Sequence, residues 1–75
     1  AVTAIVFEPD GHRFWTGSRD GSVMQWQRDG DEWRLHRVLS DRGEPVKDLA
    51  FAPETGRLLV LREDDKSLHI WRVPP

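Results

Sequence analysis

The side chains in this chain that could do chemistry are thinly spread, and their spacing argues against most reactions. His12, His36 and His69 stand 24 and 33 residues apart, with no HxxxH spacing and no cysteine beside them. A zinc ion needs three or four converging N or S ligands, so these histidines read as surface or packing residues. Ser18, Ser22, Ser40 and Ser67 lack the strand-turn-helix setting that activates a nucleophilic serine. Asp29-Gly30-Asp31-Glu32 opens like a calcium loop but lacks the third acidic position and the distal glutamate. Asp-Gly pairs supply the positive φ of hairpin turns, and that is the role expected of it. Glu63-Asp64-Asp65 reads the same way, as a polar turn. No catalytic residue, cofactor or metal is expected, and the chain is not expected to be an enzyme.

Composition narrows the partners. A net charge of −2 gives no basic surplus for nucleic acid or an anionic membrane. The absence of cysteine excludes a disulfide framework, a thiolate nucleophile and a cysteine-held zinc. No run of eighteen apolar residues is present. At 75 residues the chain can bury only a small core unaided. Its first residue is Ala1, and the expectation is a segment of a longer protein. Apolar content is only 37%, but it is concentrated in Ala4-Ile5-Val6-Phe7, Leu58-Leu59-Val60-Leu61 and Leu68-His69-Ile70-Trp71. Such clustering of aliphatic and aromatic residues marks an ordered β protein.

The elements that must position these residues are short strands. Val2 to Glu8, Arg13 to Ser18, Ser22 to Gln27 and Trp33 to Leu39 read as four, separated by Pro9-Asp10-Gly11, Arg19-Asp20-Gly21 and Asp29-Gly30-Asp31. After Ser40 to Pro45 the cycle restarts with Val46 to Ala52, Arg57 to Arg62 and Ser67 to Val73. Regular spacing and Gly/Pro punctuation predict an antiparallel meander. The first strand and Leu58 to Leu61 are apolar at successive positions, which predicts cover on both faces. The fourth places Trp33, Leu35 and Leu39 on one face and Glu32, Arg34 and His36 on the other, with Arg37 and Val38 out of step, as an outer strand would.

The chain also repeats itself. Ala4 to Gly11 returns as Asp48 to Gly56, and Trp26 returns as Trp71. Phe7 to Phe51 is 44 positions; Asp20 to Asp65 and Trp26 to Trp71 are 45. The extra residue is expected in Glu54-Thr55-Gly56, against Asp10-Gly11. Repetition at this period indicates stacked small sheets, none able to bury itself alone.

Ile5-Val6-Phe7-x-Pro9-Asp10-Gly11 followed by Thr16-Gly17-Ser18-x-Asp20-Gly21-Ser22-Val23-x-x-Trp26 resembles a WD40 repeat. Leu49-Ala50-Phe51-Ala52-Pro53 through Asp65-x-Ser67-Leu68-x-Ile70-Trp71 resembles a second, in register. The resemblance implies two β-propeller blades, residues 1–45 with the connecting loop and 46–75, the second lacking its outer strand. It also implies a structural network of His, Ser/Thr, Asp and Trp. Thr16, Asp20 and Trp26 match three of its members, and Asp65 and Trp71 match two in the second copy. There Leu61 is expected at the hydroxyl position and Arg42 at the histidine position, which leaves Arg42 as the alternative partner for Asp65. The aspartate of the name-giving dipeptide is replaced by Gln27 and Arg72. Trp15 is expected to pack against the next blade, or else to anchor a partner.

Function in this family usually resides in the loops, and the resemblance implies a non-enzymatic protein-interaction scaffold. Its contacts are expected from Arg19, Arg42, Glu44, Pro45, Lys47 and Asp64. The alternative is a regulatory or sensor propeller attached to a signalling enzyme whose catalytic part lies outside these residues. The expected partners are another protein and further blades, from the same parent chain or from copies of this one, with no nucleic acid and no membrane, in the cytoplasm. Uncovered sheet faces and an unpaired edge on the last strand predict that the segment alone is not a stable monomer.

Overall fold

The computed structural model describes residues 1–63 and 68–73. It is all-β, with β1 (Val2–Phe7), β2 (Arg13–Ser18), β3 (Val23–Asp29), β4 (Glu32–Ser40), β5 (Val46–Ala52), β6 (Arg57–Arg62) and β7 (Leu68–Arg72). Strands β1-β2-β3-β4 form one antiparallel sheet and β5-β6-β7 a second, each a meander in chain order. β3 and β4 run further toward each other than the turn residues predict. Asp29 and Glu32 are Cα partners, so only Gly30 and Asp31 turn the chain. Ser22, expected to open the third strand, instead donates its amide to Asp20 Oδ1. Ser67, expected to open the last one, lies outside the described residues.

The sheets pack face to face, with β1 and β2 against β5. Trp15 and Val23 from the first sheet and Val46, Leu49, Leu58 and Val60 from the second make one buried cluster. Burying such side chains is the main favourable contribution to a β-sheet stack of this kind. The approach is closest where β5 crosses β2. A Cβ on Gly17 would overlap the Val46 side chain, so only glycine fits there. Beside it the Thr3 hydroxyl lies 2.6 Å from Val46 O and 3.2 Å from Gly17 O, bridging the sheets with its one hydrogen.

Three expectations are corrected by the register. First, β1 is not covered on both faces: Ala4 and Val6 pack against the core, but Ile5 and Phe7 are 58% and 56% exposed. The second sheet covers one side only. Second, Leu39 does not share a face with Trp33 and Leu35. Register shifts between Val23 and Met24 and between Gln25 and Trp26 reset the alternation in β4. Trp33 therefore meets Phe7 and Phe14 on the outer face, while Leu39 packs on the core and Val38 is exposed.

Third, the extra residue of the second repeat is not in its first turn. Phe7 pairs with Phe14 and Phe51 with Leu58, so the two turns are equally long. Phe14 pairs with Trp26 but Leu58 with Trp71, a spacing longer by one, so the insertion lies between β6 and β7. In the first turn only the positive-φ glycine moves, from Gly11 to Gly56, one place later in the repeat. Leu61 is consequently not the counterpart of Thr16. That position, opposite Leu49 as Thr16 is opposite Ile5, belongs to Val60.

Candidate interaction site at the loop end

Antiparallel strands gather the connections at two ends of the molecule. One end carries the turns around Pro9 to His12, Gly30 and Pro53 to Gly56. The other, the loop end, carries residues 19–22 and 40–45. Within the first sheet the strand order aligns the expected structural network. Trp26 on β3 pairs with Phe14 on β2, Thr16 stands two residues along β2 on the same face, and the Trp26 indole Nε1–H donates to Thr16 Oγ1 at 3.1 Å. Asp20 is not part of that bond. Its Oδ1 accepts the Ser22 amide at 2.9 Å. That bond first, and the Ser22 hydroxyl second, hold the Asp20 carboxyl below its ordinary value. The second sheet has no such pair, because Val60 offers Trp71 no acceptor where Thr16 serves Trp26. Asp65 lies outside the described residues, and so does the proposed Arg42–Asp65 pair.

The comparisons give this geometry its family. No family model matches the chain. Protein HIR1 of Yarrowia lipolytica aligns with 95% of it at 30% identity. The probable cytosolic iron-sulfur protein assembly protein 1 of Malassezia globosa aligns with 99% of it at 29% identity. The WD repeat-containing protein 26 homolog of Drosophila melanogaster aligns with 89% of it at 36% identity. These relatives are WD-repeat proteins. The chain is built from WD40 repeats. It spans 8%, 24% and 11% of the lengths of these three relatives.

In these WD40 repeats, the loop end is fastened by a residue that the motif does not mark. Arg62, the last residue of β6, crosses the seam between the sheets. Its Nη1 donates to Glu44 O at 2.7 Å and to Gly21 O at 3.1 Å, and its Nη2 reaches Ser40 Oγ at 3.4 Å. Gly43 N donates to Asp20 O at 3.1 Å in the same contact. The fit admits no side chain on Gly21, which has φ +89° and lies directly against the Gly43 backbone. One guanidinium thus joins the 19–22 turn, the 40–45 loop and the second sheet. The corresponding residue of the first repeat, Ser18, has a short hydroxyl that reaches Ala1 O at 2.9 Å and does not span the two sheets. The only sequence signal for Arg62 is an arginine ending a strand where its counterpart is a serine.

Around this clamp stand the residues expected to meet a partner. Arg19, Arg42, Glu44 and Lys47 are exposed, and Pro45 is half-buried, its carbonyl accepting the Glu63 amide at 2.8 Å. Arg19 is held through its amide to Ala1 O, and the Arg42 carbonyl accepts Ser40 Oγ at 2.9 Å. Both guanidinium groups therefore project from backbone that is itself fixed. Asp64 lies outside the described residues.

Trp15 packs rather than protrudes: it is fully buried in the seam. Its indole N–H donates to Glu8 Oε2 at 2.9 Å, and the buried Gln25 Nε2 donates to the same oxygen at 2.6 Å. Sequence reasoning missed this Glu8–Trp15–Gln25 cluster, whose members are far apart in the chain and meet on one sheet face.

Proposed function

We propose that these repeats belong to a non-enzymatic protein–protein interaction propeller, whose partner docks on the loop end through Arg19, Arg42, Glu44 and Lys47. The observation that carries this reading is the Arg62 clamp. It holds two connections from one sheet against a strand of the other, so exposed charges stand on a preorganised surface. The division at residues 45 and 46 then separates one blade from the next. Asp64 is included in this proposal from its position in the sequence repeat alone, since it lies outside the described residues. Thr16, Asp20, Trp26, Asp65 and Trp71 are structural rather than partner-binding.

Further blades are the second class of partner. The outer face of the first sheet carries Phe7, Phe14, Trp26 and Trp33. Its counterpart in the second sheet, Phe51 and Leu58, is already seated against a neighbouring sheet. A cytoplasmic setting agrees with the word "cytosolic" in the name of the Malassezia relative.

The test is site-specific photocrosslinking in the full-length protein, with the reactive group at Arg42 or, on the opposite end, at Asp10. Capture of a discrete protein from Arg42, reduced by reversing the charges of Arg19 and Lys47, is the expected result. Capture from Asp10 alone would overturn the loop-end assignment.

A further inference from the structure

At the turn end the seam opens into a cleft of about 380 Å³, bordered by Glu8, Arg13, Phe51, Thr55, Gly56 and Arg72. Its volume lies at the small end of ligand-binding clefts. The charges in it are unusual in one respect: they are not paired with each other. Glu8 and Arg13 are joined through their backbones, Glu8 N to Arg13 O at 2.9 Å. The Glu8 carboxylate is nevertheless engaged by Trp15 and Gln25 through Oε2. Among the described residues the ion pairs are those of Arg34 with Asp29 and Glu32, so neither Arg13 nor Arg72 has a carboxylate partner.

The two departures from the WD dipeptide noted in the sequence explain why. Gln27 occupies the place of the first aspartate, directly opposite Arg13 across the β2–β3 ladder. It supplies no charge, and its Oε1 is buried without a partner. Arg72 occupies the place of the second, reversing the sign. The cleft therefore holds two guanidinium-bearing residues and one carboxylate already committed to neutral donors. Thr55 adds a hydroxyl and Phe51 an apolar wall.

From this we infer that the turn-end cleft is a second binding site, for a carboxylate carried on an acidic peptide segment. Guanidinium groups match planar carboxylates through paired N–H donors, and Phe51 accommodates the methylenes of a glutamate. The site lies at the opposite end from the loop-end surface of the proposed function and does not depend on it, so either can fail alone.

The test is fluorescence anisotropy with a labelled glutamate-rich peptide, using the full-length protein at low ionic strength. The peptide should bind, and Arg13→Gln and Arg72→Gln should each weaken it by about tenfold, the size expected for losing one hydrogen bond to a charged group. Arg28→Gln, on the other face at the same end, should leave binding unchanged. Circular dichroism on each variant confirms that the fold persists. Absence of binding, equal loss in Arg28→Gln, or equal displacement by inorganic phosphate would each overturn the inference. The first denies a site, the second reduces it to general electrostatics, and the third makes it a site for any anion.

Discussion

The two sheets share one pattern and differ in what covers it. In the first, Phe7, Phe14, Trp26 and Trp33 form a connected aromatic face. Phe14 is 4.8 Å from Trp33 edge-on, 5.2 Å from Phe7 and stacked with Trp26 at 6.2 Å. That face carries half-exposed side chains such as Ile5, Phe7 and Leu35. In the second, the equivalent positions Leu49, Leu58 and Val60 are buried, because the first sheet's opposite side lies against them. A repeat therefore encodes a face suited to burial, and whether it is buried depends on the neighbour.

The largest effect should come from the shared seam. Trp15→Ala removes the biggest fully buried side chain and leaves Glu8 with one donor fewer, and should cost about 3–5 kcal/mol in urea unfolding. Phe7→Ala, on the uncovered face, should cost far less in a longer, stably folded fragment in which that face stays uncovered and more where a further sheet covers it. If both cost the same in the two settings, the contrast between the faces is wrong. Next comes the clamp. Arg62→Ala should lose about 1.5–3 kcal/mol, the worth of hydrogen bonds from a charged group. It should also raise hydrogen exchange at the Gly43 amide while sparing the amides of β3.

A smaller effect separates the two tryptophans of the repeat. Trp26→Phe removes the bond to Thr16 and should cost about 0.5–1.5 kcal/mol, while Trp71→Phe, whose neighbouring strand β6 carries Val60 in place of the threonine, should cost less. Equal losses would show that the indole N–H is not what distinguishes the sheets. The smallest effect is on acid stability. Asp20 has its carboxyl held below the ordinary value, so its stabilising contribution is complete above the unfolded aspartate pKa of about 3.9. It is lost as pH falls through the lower folded value. Asp20→Asn should flatten the acid limb of the stability curve, and an unchanged limb would remove Asp20 from the account.

Strand number, order and the sheet class were legible in the sequence, because alternation and Gly/Pro turns are local signals. So were the two echoing tryptophans. For Trp15 the sequence left two readings, packing against the next blade or anchoring a partner, and its full burial in the seam decides for packing. What could not be read depended on register. The shifts in β3 and β4 turned Leu39 inward, and the insertion between β6 and β7 moved the hydroxyl position from Leu61 to Val60. Both are single-residue slips, to which a period-two pattern is blind until pairing partners are known. Arg62 escaped notice for another reason: three of its acceptors come from residues 22, 18 and 41 positions away, and no local pattern encodes them.

The uncovered aromatic face also has an optical consequence. Trp33 is 38% exposed, edge-on to two phenylalanines, whereas Trp15 sits dry in the seam. Placing another sheet over that face would move Trp33 from water into an apolar setting and shift its emission toward the blue, with Trp15 unchanged. The molecule thus carries, in its own indoles, a dye that reports when a neighbour arrives and an internal standard that does not.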